Sequence, residues 1–328
     1  MKLSVVIPAK NAAAHLNYVL PALLPQLLPD DECFVIDDAS SDATGEIAQG
    51  YGVSVVLLKM PSGPSVARNL GATRATGDIL VFLDSDVVPH PGLLDKMREQ
   101  LHQAPDLSAL IGSYDANPAA QSTVSRFRNL LHCYTHQHGN QDASTFWTGC
   151  GAVRRADFEQ IGGFDAIRFP TPGMEDIDLG LRLRRQGSTI HLNPELLVQH
   201  RKCWTLRGML RADLIERAIP WTTLILESGS MPLDLNLTLS QRVSGAATAG
   251  AWLLLLLVPW VWPLAAAACV AALLLVIALN ARFYDFLARH GGWWFALRSI
   301  PLHLLYFSCG VLGYGIAFWR FYLRKFVR

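Results

Sequence analysis

Short apolar runs recur through the first hundred positions, each closed by a proline, a glycine or an acidic residue. Leu3–Ile7, Glu32–Ile36, Val53–Leu58 and Asp78–Leu83 have the continuity expected of strands buried on both faces. Between them Ala12–Leu28, Ser41–Gly50 and Pro64–Ala75 place apolar residues at helical spacing, with Asp42 or Thr44 available as a cap. Strands alternating with helices predict a parallel sheet with right-handed crossovers. Further on, Ile111–Thr123 reads as a polar loop and Val124–His138 as a helix. Phe146–Val153 reads as a strand, Glu175–Gln186 as a helix ending at Gly187, and Thr189–Leu192 and Leu196–Gln199 as two short strands.

The pattern changes near position 243. Val243–Trp262, Pro263–Leu279 and Pro301–Trp319 are runs of 20, 17 and 19 residues without a charge. A bilayer core takes about 20 apolar residues per helix. The first two runs predict a hairpin turning at Pro259–Pro263, with tryptophans at the interface. Three spans would carry Arg320, Arg324, Lys325 and Arg328 away from the cytoplasm, against the positive-inside rule. Either the third run lies in the interface, or one of the short runs does not span. Upstream, Trp204–Leu226 mixes Leu206, Leu210, Leu214 and Ile219 with Arg207, Arg211 and Arg217, the pattern of a helix lying on anionic lipid.

Composition sharpens this division. Of 328 residues, 51% are hydrophobic and 17% charged, and the net charge is +1. Mean hydropathy is +0.25. Disorder and a disulfide mini-protein are excluded, and no global field favours nucleic acid. Residues 1–242 hold 21 of the 28 bases and 26 of the 27 acids, a net −5; the remaining seven bases against Asp285 give +6. A mildly acidic domain therefore precedes a basic, apolar tail. The six cysteines form no C-x-x-C pair and read as reduced thiols. After Lys2 only a short apolar stretch precedes Pro8 and Lys10, which does not read as a signal peptide. The sequon Asn236-Leu237-Thr238 reads as chance.

Chemistry concentrates at predicted strand ends. Asp84-Ser85-Asp86 follows one strand, and Asp37-Asp38 ends another; such ends bind ligands in open α/β sheets. Hard carboxylate oxygens suit Mg²⁺ or Mn²⁺ beside a nucleotide diphosphate, whereas isolated acidic turns have ordinary capping roles. Gly63 and Ser65 lead into a helix start that favours anions, with Arg68 one turn inside. Glu175-Asp176 opens a helix, where acids are ordinary through the macrodipole; alternatively, one is a general base aimed at an acceptor hydroxyl. His132 and His136 share a helix face, but no third zinc ligand is evident, which favours a structural role.

The segments SVVIPAKNAAAHL, FVIDDASSDAT, SVARNLGATRATGDILVFLDSD, TGCGAVRRADFEQIGGFDAIR and EDIDLGLRLRRQG occur in order over roughly residues 1–200. Together they resemble a family-2 glycosyltransferase of the GT-A fold. The resemblance implies a Rossmann-like, mostly parallel sheet in a catalytic domain at 1–200. The apolar runs add juxtamembrane helices at 201–242 and a helical transmembrane region at 243–328. The resemblance also implies an inverting transferase that uses a nucleotide sugar and a divalent metal. On this reading Pro8 and Asp38 lie against the nucleoside, and Arg68 near the diphosphate or nucleoside. Asp84 and Asp86 hold ribose and metal, Asp86 being favoured for the metal. Asp176 is the general base and Glu175 helps bind the acceptor. Trp147, Gly149, Cys150 and Gly151 line the sugar and acceptor pocket. Gln199–Trp204 departs by one residue from the Q-x-x-R-W motif of processive synthases, which argues against processivity. His200 is either a late metal or diphosphate ligand or a hydrogen-bonded strand-end histidine.

The expectation is an inverting transferase at the cytosolic face of the inner or plasma membrane, multi-pass, acting on a lipid-linked or membrane-embedded acceptor in cell-envelope glycan synthesis. A polyprenyl-phosphate sugar synthase is one alternative, since a phosphate acceptor needs no base. A non-catalytic membrane-anchored binding module on a degenerate transferase fold is another.

Overall fold

The computed structural model describes residues 1–229 and 238–326. Asn236 and Leu237 of the sequon, and the terminal Arg328, lie outside them. In chain order the elements begin β1 (Leu3–Ala9), α1 (Ala13–Leu23), β2 (Glu32–Asp37), α2 (Thr44–Gly50), β3 (Ser54–Leu57), α3 (Pro64–Arg74) and β4 (Ile79–Leu83). Then come β5 (Val87–Pro89), α4 (Leu93–Gln103), β6 (Leu107–Tyr114), α5 (Thr123–Gln137), β7 (Cys150–Arg154), α6 (Arg155–Gln160), α7 (Glu175–Arg185) and β8 (Thr189–His200). The rest is helical: α8 (Leu206–Arg211), a π-helical stretch Ala212–Ala218, α9 (Ile219–Ser228), α10 (Leu239–Val261), α11 (Leu264–Leu279), α12 (Ala281–Gly291) and α13 (Trp293–Phe326). The chain forms two compact units, Met1–Ala119 with His136–Lys202, and Ala120–Thr135 with Cys203–Arg328.

The first unit holds an eight-stranded sheet in the order β3-β2-β1-β4-β7-β6-β8-β5. The predicted alternation is present, and β1 to β4 are all parallel to their neighbours among themselves. Every residue of β4 is buried, as a strand covered on both faces requires. Because β1 lies between β2 and β4, the chain reverses its winding direction there. The C-terminal ends of β2 and β4, bearing Asp38 and Asp84, therefore open on the same edge.

Beyond β4 the sheet is mixed, since β7 runs antiparallel to both β4 and β6. The polar loop expected from Ile111 is corrected here: Ile111–Tyr114 complete β6, and all eight of its residues are buried. Ser113 hides its polarity locally by donating to the Tyr114 carbonyl at 2.9 Å and accepting from Gln137. The two short strands expected near 190 are one strand, β8. Its register against β6 jumps from Ile111↔Leu192 to Ser113↔Leu197, so residues 193–196 stand against Gly112 alone and the ladder is bulged there. The strand expected from Phe146 begins only at Cys150, and α1 stops at Leu23 ahead of a short turn containing Pro25.

In the second unit α10 and α11 run antiparallel, as the expected hairpin requires. Asn280 donates to Ser244 at 2.9 Å and accepts from Gln241 at 3.2 Å. The third apolar run lies inside the 34-residue α13, which starts well before Pro301. By length and composition, one helix among the described residues can cross a membrane, Trp293–Arg324. The α11–α12 pair would pass only as a span broken by a 65° bend. The multi-pass expectation is thus reduced to one candidate span: the second run is followed by Asn280 and the amphipathic α12, which carries Arg282, Asp285 and Arg289. The segment from Trp204 is not one helix. Its π-helical turn packs on α13, where a Cβ on Gly313 would lie 2.4 Å from the Ala218 methyl group. Arg128 and Asp213 form a buried ion pair at 2.5 Å beneath that turn.

Gly180 shows how tightly α7 sits in the first unit. A Cβ there would fall 2.1 Å from the Phe146 nitrogen and 2.4 Å from the Thr145 carbonyl carbon. Gly180→Ala is expected to cost about 1–3 kcal/mol through overpacking against backbone that cannot yield. A lower midpoint in denaturant titration of the purified protein checks this.

Candidate active site

Two loops close over the sheet edge. Asp38 is buried and accepts backbone N–H groups from Ser62 at 2.6 Å and Gly63 at 3.0 Å, with the Lys10 ammonium 4.0 Å away. Its carboxylate thereby secures the turn leading into α3. Pro8 lies one residue before the end of the adjacent strand, beside Ile36. Asn11 and Ala39, on either side of this crevice, both adopt positive φ (50° and 53°), backbone strain of the kind that collects at functional sites.

Arg68 joins the strand end after β4 to the start of α7. Its side chain leaves α3 almost fully buried, at 4% exposure. One guanidinium nitrogen donates to Asp84 Oδ1 at 2.7 Å and the other to Glu175 Oε1 at 3.0 Å. Glu175 is itself buried and takes a second hydrogen bond from the Gly173 N–H at 2.7 Å. Arg68, expected near the diphosphate or nucleoside, ties two carboxylates together. Asp176 follows directly, its Oδ1 accepting from the Ile177 N–H at 2.8 Å and its Oδ2 facing the Thr148 N–H at 3.4 Å. Burial and the neighbouring Glu175 charge push Asp176 up to about 7, against the pull of Arg68. Burial also raises Asp84, with Arg68 opposing and Asp86 adding, although 32% of its side chain stays accessible.

Asp86 has the opposite electrostatics. Burial works to raise it, but the hydrogen bond and charge of His200, with Lys202 and His15, hold it down at about 2. His200 Nε2 lies 3.6 Å from Asp86 Oδ2. Arg201 donates its N–H to the Asp86 carbonyl at 2.8 Å, which pins the strand end. Of the three expected metal ligands the fold brings Asp86 and His200 together and turns Asp84 toward Arg68. Among the described residues no three His, Cys, Asp or Glu side chains cluster as a complete metal cage.

The pocket segment is built around Trp147, which is half-buried. Its indole covers Gly149 so closely that a Cβ there would sit 2.5 Å from the ring. Cys150 and Gly151 are buried in β7, and burial raises the Cys150 thiol, so it is an inert packing group. The Tyr114 ring meets Trp147, His136 and His200, and His136 also meets Trp147. Sequence reasoning missed Tyr114, His15 and Lys202, because only the folded sheet gathers them; nothing in their local spacing marks them. His132 and His136 share no site: His132 pairs with Arg217, while His136 sits against Trp147.

The sheet, its switch point and the acidic strand ends define a nucleotide-diphospho-sugar transferase fold. Residues 4–162 match glycosyl transferase family 2, and residues 128–202 match the N-terminal domain of galactosyltransferase. Residues 4–162 of the chain are thus similar to glycosyl transferase family 2. It is 29% identical over 209 residues to "Probable glycosyltransferase YdaM" of Bacillus subtilis, covering 59% of this chain and 49% of that protein. It is 30% identical over 227 residues to validoxylamine A glucosyltransferase of Streptomyces hygroscopicus, covering 59% and 54%. The chain thus spans about half the length of these curated relatives. Its fold resembles a mannosyltransferase of Pyrobaculum calidifontis in complex with GDP-Man and Mn²⁺, with a TM-score of 0.57, 17% identity and coverage of 95% and 86%.

Removing the shared cation isolates its role. Arg68→Met strands Glu175 as a buried unpaired charge and is expected to cost about 3–5 kcal/mol at neutral pH. The loss should shrink toward pH 5, where the stranded carboxyls take up protons; thermal unfolding at both pH values checks the sign.

Proposed function

We propose that the protein is a metal-assisted inverting glycosyltransferase that moves a sugar from a nucleotide-sugar donor to a hydroxyl on a lipid-linked or membrane-embedded acceptor. The observation that carries this reading is the Asp84–Arg68–Glu175 bridge, which joins the D-x-D strand end to the residue beside Asp176. The acceptor oxygen attacks the anomeric carbon as the bond to the diphosphate oxygen breaks, and its proton passes to the Asp176 carboxylate. A carboxyl group at about 7 is poised to take that proton near neutral pH. This supports a hydroxyl acceptor, since an ionised phosphate acceptor has no proton to give.

The donor set at Asp86 fits a divalent cation. One ionised carboxylate and one imidazole converge there, and Mg²⁺ and Mn²⁺ commonly complete their shell with substrate phosphates and water. Bound there, the cation would neutralise charge on the leaving diphosphate. Asp38 and Pro8 shape the nucleoside end, and Asp84 faces the ribose from the Arg68 bridge. Glu175 positions the acceptor side, and Trp147 over Gly149 walls the sugar pocket.

The membrane part of the proposal is supported by α13 and by a broad apolar face. Trp252, Leu256, Trp260, Trp262 and Leu264 are all exposed, Leu264 at 78%. A solvated patch of this kind marks a protein or membrane contact. We place the catalytic domain on the cytosolic side, consistent with six cysteines held as thiols.

Three outcomes test these statements. Purified protein given a panel of nucleotide sugars with Mn²⁺ or Mg²⁺ and membrane lipid extract should release nucleoside diphosphate. Asp86→Ala should abolish that release, and no release or binding with any donor would leave the non-catalytic alternative. Acceptor transfer (kcat/KM) should rise with pH through an inflection near 7, and Asp176→Asn should lower it by roughly 10²–10⁴-fold. Full transfer by Asp176→Asn would instead indicate a phosphate acceptor. Finally, the protein should float with phospholipid vesicles and resist extraction by alkaline carbonate; release by carbonate would show that α13 does not span.

A further inference from the structure

We propose that Tyr114 is a positioning residue whose buried ring holds His200 toward Asp86 and, at the same time, holds the Trp147 wall of the acceptor pocket. The inference rests on the reading of Asp86 and His200 as the cation-binding pair.

Tyr114 is 6% exposed and lies at the end of β6, paired with Val198 of β8. Its ring stacks on the His200 imidazole with centroids 4.3 Å apart and planes 8° from parallel. It meets the Trp147 indole edge-on, at 4.8 Å and 89°. One rigid ring thus has a metal-side neighbour on its face and a pocket-side neighbour at right angles. His136 closes the group against Trp147 at 4.5 Å; burial lowers its pKa to about 4, so it adds packing there without charge at neutral pH.

The backbone of His200 is already set, because β8 pairs with β5 through Val87↔His200 and Arg201 N–H bonds the Asp86 carbonyl. That leaves the imidazole two side-chain rotations. A near-parallel stack on Tyr114 restricts both, and so holds Nε2 on the side of Asp86. Trp147 has no such backbone anchor, since Phe146–Gly149 precede β7. Its place is set by Gly149 beneath it and by the rings of Tyr114 and His136. The next residue, Thr148, presents its N–H toward Asp176. Removing the Tyr114 ring frees the imidazole on the leaving-group side and the indole on the acceptor side together.

Mn²⁺ binding, read directly by electron paramagnetic resonance of the full-length protein with UDP or GDP, tests the metal-side arm. Tyr114→Ile keeps strand propensity and apolar bulk while deleting the ring. It is expected to weaken Mn²⁺ binding about tenfold. Tyr114→Phe, which keeps the ring, should restore affinity to within about twofold. If Tyr114 acts through His200, Tyr114→Ile should have no further effect in a His200→Ala background. Additive losses, or an isoleucine variant with wild-type affinity, would overturn the proposal. If Mn²⁺ binding is lost in His200→Ala yet untouched in Tyr114→Ile, this inference alone fails. A wild-type protein that binds no Mn²⁺ with either nucleotide overturns the cation reading and this inference with it. Thermal midpoints of all variants separate local effects from unfolding; should Tyr114→Ile melt early, Tyr114→His, a smaller planar ring, is expected to fall between phenylalanine and isoleucine.

Discussion

The guanidinium of Arg68 is withdrawn from water, and a charge so placed must be neutralised where it stands. Asp84 and Glu175 do this from opposite sides. Two segments far apart in sequence, the turn after β4 and the start of α7, are thereby tied to one helix. The same bridge sets the electrostatics around it. Burial first, and then the neighbouring Glu175 carboxylate, work against ionisation of Asp176, while Arg68 opposes them. One turn beyond β4 the logic reverses: Asp86, among His15, His200 and Lys202, stays ionised and ready for a cation. Two aspartates separated by one serine thus have opposed acid–base character because they face different neighbours.

The region around Trp147 and α7 depends on packing where the Arg68 bridge depends on charge. Gly149 has no side chain because Trp147 occupies its space, and Gly180 has none because the backbone at 145–146 does. Those absences let α7 and the pocket segment approach closely enough for Thr148 N–H to face Asp176. The aromatic rings around Trp147 then make that arrangement stiff. Short-range order on this side is steric, so small changes in volume matter more than changes in charge.

The helical unit follows a different rule. Asn280 is satisfied inside, between Ser244 and Gln241, while large apolar side chains face outward. Arg128 and Asp213, buried beside the π-helical turn, neutralise each other directly.

Much of the nucleotide half was legible from residue order alone. Continuous apolar runs ending in acids specify parallel strands with carboxylates at their C-terminal ends, because burial on both faces leaves no polar positions within the strand. Family resemblance then supplied the candidate residues. The second half of the sheet was less legible. Ser113 and Gly112 make β6 look like a loop, and only its burial between β7 and β8 makes it a strand. The number of apolar runs was visible, but a bend at Asn280 and a helix that overruns Pro301 decided how many can span. The sequence by itself determined which chemical groups are present and which local periods they follow, since both are properties of neighbouring residues. Tertiary structure alone decided that Arg68 serves Asp84 and Glu175, that His200 faces Asp86 under Tyr114, and that Asp176 is the carboxyl group raised toward neutrality. Those depend on distances and burial between segments up to a hundred residues apart, which no local pattern encodes.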